Sequence, residues 1–201
     1  MMRGRCVLVV AACAALLSLG GCLSAGEVAQ KRQFLIAPQI AAAAATPTAH
    51  TLGVRPLFAA RPYTLNMLYV DDAQALLPYA DVFWAEEPDA TVTRALRDAI
   101  GQSGRFADVG DAAEMARPEY VLTGEVRKYH EERAASPPQA VVEARLELRE
   151  ARGAKLVWAE TVSASTPLEG ARAQDYANAM TAAVAALASK AAAAIAAVPL
   201  P

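Results

Sequence analysis

A chain of 201 residues with 19 basic and 21 acidic side chains is long enough for one domain with a real core, and it lacks the basic stripe of a nucleic-acid binder. Two histidines and three cysteines form no cluster with metal-ligand spacing, and there is neither a Gly-x-Ser-x-Gly elbow nor a Walker-type phosphate loop. With no candidate nucleophile, base or metal site, the chain is expected to be neither an enzyme nor a cofactor protein.

The N-terminus reads Met1-Met2-Arg3-Gly4-Arg5 and continues into an apolar run from Cys6 to Leu19, broken only by Ser18. Two cations followed by such a run make an export signal. The run falls short of the roughly 20 apolar residues that cross a bilayer core. It ends in Leu19-Gly20-Gly21-Cys22, which resembles the lipobox of bacterial lipoproteins. That resemblance implies a signal peptide over residues 1–21, recognised by its peptidase through Leu19, Gly20 and Gly21. It also implies that Cys22 carries diacylglycerol on its thiol and an N-acyl chain such as palmitate. The alternative is an ordinary secretory signal cut near Leu23-Ser24-Ala25.

Cys6 and Cys13 leave with the signal, so the mature chain keeps Cys22 without a disulfide partner. Acylation removes what would be a lone thiol in an oxidising compartment. Two or more chains make a stable anchor at about 0.8 kcal/mol per buried methylene. By resemblance to the enteric sorting rule, Leu23 stands where an aspartate retains lipoproteins in the inner membrane. The outer membrane, with the domain facing the periplasm, is therefore the expected home. Loss of Arg3 and Arg5 leaves 17 basic against 21 acidic residues, a formal charge of about −4, so attachment depends on the anchor.

Residues 22–32 read as a tether and 33–198 as one domain. Phe34-Leu35-Ile36 is a candidate first strand, and Ala41 to Thr51, with five consecutive alanines and Pro47, a connection. Leu52 to Pro56 reads as a strand ended by proline. Thr64 to Val70 and Ala75 to Tyr79 flank the turn residues Asp71-Asp72 and predict a hairpin, with a further strand at Asp81 to Trp84. Pro88 opens a helix with Val92, Leu96, Ala99 and Ile100 on one face, stopped near Gly101 and Gly104. Phe106 to Val109 is a short strand. Tyr120 to Val126 and Ala140 to Arg149 alternate as half-buried antiparallel strands, wet on one face. Gly153 turns the chain into Lys155 to Ser163. His130 is placed at a frayed strand end beside Glu131 and Glu132, and Glu86 and Glu87 on solvated surface.

From about Gly170 to Val198 an alanine-rich helix carries a stripe of Tyr176, Met180, Val184, Leu187, Ala191 and Ile195. Lys190 interrupts it, and a lysine at mid-bilayer costs several kcal/mol, so the helix is expected to pack on the sheet. The fold class that follows is α+β: a single two-layer domain, a mostly antiparallel sheet with an internal helix and the long C-terminal helix on one face.

Three stretches carry a family resemblance. Tyr79-Ala80-Asp81-Val82-Phe83-Trp84-Ala85-Glu86-Glu87-Pro88 leads through Val92-Thr93-Arg94-Ala95-Leu96 to Ser103-Gly104-Arg105-Phe106. Tyr120-Val121-Leu122-Thr123-Gly124-Glu125-Val126 and Leu156-Val157-Trp158 follow. Their order and spacing resemble the ABC-type transport auxiliary lipoproteins, the PqiC-like group, over roughly residues 33–197. The resemblance implies a non-catalytic component of an Mce/MlaD-type lipid transport system. Its partner would be a periplasm-spanning Mce-domain protein, with a permease and an ATPase behind it and a homo-oligomer left open. A scaffold lipoprotein of the envelope and a small lipid carrier are the alternatives, which fold alone does not separate. A tether of about ten residues reaches at most about 35 Å. Tyr79, Phe83, Trp84 and Trp158 are the aromatics nominated for a partner contact, although with so few aromatics most are expected in the core.

Overall fold

A computed structural model describes residues 31–200. The export signal, its cleavage motif Leu19-Gly20-Gly21 and Cys22 lie outside the described residues.

The strongest alternation in the sequence becomes the backbone of the sheet. Strands β7 (Tyr120–Glu132), β8 (Gln139–Glu150) and β9 (Leu156–Pro167) form a continuous antiparallel ladder. On β8 the alternate residues Ala140, Val142, Ala144, Leu146 and Leu148 are completely buried, while the residues between them face outward. That second face carries ion pairs such as Lys128–Glu143 at 3.1 Å and Arg149–Glu147 at 2.7 Å. Such exposed pairs add solubility more than stability.

Gly124 on β7 pairs with Leu146 on β8. A Cβ there would sit 2.4 Å from the Arg145 carbonyl oxygen, so this position admits no side chain without parting the strands.

The other edge of β7 is made differently. Strands β2 (Thr51–Val54), β3 (Phe58–Ala59) and β4 (Asn66–Val70) pair in chain order with its successive thirds, all parallel to it. Parallel neighbours ordinarily need a crossover of a dozen or more residues. Here the three segments lie end to end and act as one interrupted strand, so short links suffice. Outside β2 lies β6 (Asp108–Asp111), parallel to it; outside β4 lies its hairpin partner β5 (Leu76–Trp84). Beside β5 runs β1 (Arg32–Phe34), parallel again.

Several expectations are corrected in detail. The first strand spans 32–34 rather than 34–36, so it starts inside the expected tether and leaves Leu35 67% exposed. The two pieces expected around Tyr79 and Trp84 are one strand, bent at Asp81, whose φ is 55°. The expected 106–109 strand begins two residues later. β3 was not anticipated, because two residues carry no period. The strand at Tyr120 does not fray near His130. A bulge between Val126 and Lys128 resets its alternation and carries it to Glu132, leaving His130 6% and Glu131 4% exposed.

Both helices cover the same face of the sheet. Helix α1 (Pro88–Ser103) starts at a proline, whose missing N–H is no loss in the first turn. It buries Val92, Ala95, Leu96, Ala99 and Ile100, and stops at Gly104 in the left-handed conformation, φ 66°. Helix α2 (Ala173–Ala196) is tied at its start by Asp175, which accepts from the Arg172 backbone N–H at 3.0 Å. Its face of Tyr176, Met180, Ala183, Val184, Leu187, Ala191 and Ile195 is fully buried. By length and composition α2 is apolar enough to cross a membrane. Its apolar residues form instead the common core with α1 and the inner face of the sheet, which gives the two-layer α+β fold. The long connection before β2 is pinned to the end of α1 by Ala45 N–H to the Ser103 carbonyl and Thr48 N–H to the Arg105 carbonyl, both at 2.8 Å.

Candidate functional site

The structure separates the four nominated aromatics. Trp84 is 1% exposed and is corrected to a core residue, because alternation along β5 turns it inward. Its indole meets Tyr129 edge-on at 5.4 Å and Tyr176 at 5.2 Å. Phe83, one residue earlier, faces the other side of the sheet, half-buried, with the Lys31 ammonium 5.6 Å from its ring centre. Trp158 is half-buried near the start of β9 and packs against the core rim. Tyr79 alone joins a polar cluster.

That cluster closes one end of the core. Tyr79 stacks on the fully buried Tyr176 at 5.8 Å and meets Tyr69 edge-on at 5.4 Å. Its hydroxyl donates to Glu131, whose side chain is only 5% exposed. Arg133 Nε donates to the same carboxylate oxygen at 3.0 Å, and its guanidinium lies 3.3 Å from the Tyr69 ring centre and 4.9 Å from that of Tyr79. Burial, reinforced by the neighbouring carboxylate, pushes the Tyr79 phenol up to about 12. Burial works against the charged Arg133, but its bonds to Tyr79 and Glu131 outweigh it and hold the guanidinium protonated. The arrangement fixes one cation in an aromatic clamp over a buried anion. It offers planar hydrogen-bond donors and no group poised to accept a proton or attack a carbonyl.

Glu131 and Arg133 were missed in the sequence. The available signal was an acid in an inward slot of a strand, but the slot is inward only once the bulge after Val126 is known. His130, expected at a frayed strand end, sits on the other side of β7 with its Nδ1 2.9 Å from the Tyr63 hydroxyl. Burial lowers its pKa to about 4, so it is neutral at physiological pH. His50 pairs with Glu119 at 3.2 Å. Glu86, expected on solvated surface, anchors the start of α1: it accepts from Arg94 at 2.6 Å and from the Thr91 hydroxyl at 3.0 Å. Among the described residues no group of three or more His, Cys, Asp or Glu is placed to hold a metal ion.

The fold has solved relatives. A Xanthomonas campestris protein of the DUF330 family superposes with a TM-score of 0.71 at 19% identity, covering 79% of this chain and 91% of that one. A second, uncharacterised protein gives 0.65 at 12% identity, covering 83% of this chain and 99% of its own. At these identities the likeness establishes the fold alone. No curated protein matches the chain. The model of the ABC-type transport auxiliary lipoprotein component family matches residues 34–192, a span that takes in all strands from β2 to β9, the whole of α1 and most of α2. The chain belongs to the ABC-type transport auxiliary lipoprotein component family.

Proposed function

We propose that the protein is a lipid-anchored, non-catalytic component of an Mce/MlaD-type lipid transport system, held to the outer membrane through acylated Cys22. From there it docks its folded domain to the periplasm-spanning Mce-domain protein, and through it meets the permease and ATPase. The observation that carries this reading is the family match over almost the whole described domain. The lipobox-like Leu19-Gly20-Gly21-Cys22 supports the anchor, and a short tether raises the domain's effective concentration for a partner that reaches the same membrane.

The packing favours docking over carriage. A carrier needs room between the helices and the sheet, and that layer is filled by side chains less than 2% exposed, among them Trp84, Tyr129, Tyr176, Met67 and Met180. Catalysis has no support in the cluster around Glu131, since a carboxylate shared by a phenol and a guanidinium is occupied.

A genetic test separates transport accessory from general scaffold. Strains lacking this protein, lacking the Mce-domain protein, or lacking both should share one envelope-permeability defect of the same size. A double mutant markedly worse than either single mutant contradicts membership of one pathway and moves the reading to the scaffold. Cys22→Ser should abolish acyl labelling and reproduce the deletion defect; undiminished labelling in that variant refutes the anchor.

A further inference from the structure

The sheet finishes differently at its two margins. On one side it ends in short strands, β1 with three residues and β6 with four. On the other it ends in β9, twelve residues long, which among the described residues pairs with β8 alone. A long edge strand presents a row of unanswered N–H and C=O groups, and proteins that stay single blunt such an edge with lysine, proline or a bulge. From Trp158 to Thr166 the one charged residue of β9 is Glu160. Its proline stands at the last position, 167, and its register shift falls before Trp158.

Two hydrogen bonds fix the phase of that open edge. Leu168 N–H donates to the Pro138 carbonyl at 2.8 Å. Bonded and non-bonded pairs alternate along an antiparallel ladder, so from Ala140↔Thr166 to Leu148↔Trp158 the even-numbered residues of β9 bond to β8. Ala159, Thr161, Ser163 and Ser165 therefore turn their backbone groups to the open side. The second bond agrees: the Lys190 ammonium, reaching over from α2, donates to the Ser163 carbonyl at 3.0 Å. It answers one carbonyl and leaves the rest of the row. Thr161, Ser163 and Ser165 are exposed, with short hydroxyl side chains on the outer face of the sheet. On the helix side Val162 and Ala164 are buried, and Glu160 is exposed with no ion-pair partner among the described residues.

We propose that a second copy of the chain docks on this edge, β9 against β9, antiparallel about a two-fold axis at Val162. Any extended chain satisfies a backbone row, so the choice of occupant rests on the side chains, and β9 carries its own complement. In this register Ala159 pairs with Ser165 of the second copy and Thr161 with Ser163 of the second copy, so every outward-turned residue meets another. The Thr161 and Ser163 hydroxyls then lie side by side on the outer face, a favourable cross-strand pair. Glu160 comes opposite Ala164 of the second copy, next to the carbonyl that Lys190 holds there, and symmetry makes that contact twice. Lys190 exchanges a carbonyl for a carboxylate, the stronger acceptor for an ammonium. The axis of such a pair stands perpendicular to the sheet, so both copies keep their helices on the same side. This surface is independent of the docking proposed above and of acylation at Cys22.

The full-length protein in detergent, sized by sedimentation at micromolar concentration, should carry two chains. Ser163→Pro deletes an N–H on the open side and no bond to β8, so it should return the protein to single chains with its circular dichroism unchanged. Glu160→Lys or Lys190→Glu alone should weaken the dimer several-fold, and the two together should restore it. Should the proline variant not fold, the charge exchange carries the test. Separate copies bearing Thr161→Cys and Ser163→Cys should oxidise to a mixed dimer, whereas copies bearing Glu147→Cys, at the middle of β8, should not. Single chains in the unaltered protein overturn the proposal, as does an oligomer of unchanged size in a folded Ser163→Pro protein. A double charge variant no better than either single one also overturns it. A Ser163→Cys protein that crosslinks in cells to a different protein, and not to its own copy, overturns the second copy as occupant in favour of a foreign strand.

Discussion

One edge of β7 is held by a single strand and the other by three. Along the β8 edge, twelve residues pair without a break except at one bulge, and each inward position on β8 is completely buried. Along the other edge, β2, β3 and β4 hold two or three residues each, and links run between them. The first edge is a local hairpin whose closure costs little entropy. The second brings residues about 70 apart in sequence together before it gains anything. Stability is therefore expected to concentrate in the β7–β9 ladder and the helices packed on it. The interrupted edge is where backbone amides should exchange first.

The largest expected effect lies on the continuous edge. Leu146→Ala removes a fully buried side chain at the centre of β8 and should cost about 3 kcal/mol by denaturant unfolding. A loss below about 1 kcal/mol would mean that this ladder is not the stable half.

Next in size is a pH effect at the interrupted edge. His130 is held neutral among Tyr63, Lys128, Glu132 and Glu143, its folded pKa near 4 against an ordinary 6.5. Because the folded value is the lower one, the unfolded chain binds the extra proton first. The stability is fully present above about pH 6.5 and is lost as pH falls towards 4. The loss approaches about 3 kcal/mol. His130→Gln should flatten that part of the stability–pH curve, and a curve of unchanged slope would refute the assignment.

Gly124→Ala tests the contact between β7 and β8 directly. The added methyl meets the Arg145 carbonyl, which cannot rotate away, so a loss of about 2 kcal/mol is expected in thermal unfolding. Gly104→Ala adds no clash but forces alanine into φ 66°, and about 1 kcal/mol should follow from that alone. Phe58→Ser, on the two-residue β3, changes a side chain already 74% exposed and should shift stability by less than about 0.5 kcal/mol.

The same division explains what could be read from the residues. The β8 alternation, Gly153, the proline start and glycine stop of α1, and the heavy stripe of α2 are local patterns, and each predicts its element. The parallel pairings of β1, β2, β3 and β6 depend on partners far along the chain, and nothing within four residues announces them. The polar cluster was hidden for a related reason. Tyr79 was nominated as an aromatic, but its partners Glu131 and Arg133 lie beyond a bulge that reverses which residues of β7 face inward. Trp84 shows the opposite failing: its nomination rested on residue type, whereas alternation with Val82 on the same strand already pointed to the core.

Crosslinking of the native acylated protein in whole cells, followed by mass spectrometry of what co-purifies, tests the central claim most directly. The account predicts recovery of an Mce-domain protein, accompanied by its permease or ATPase. Recovery of outer-membrane or cell-wall proteins alone, with the acylated protein efficiently crosslinked, would contradict it.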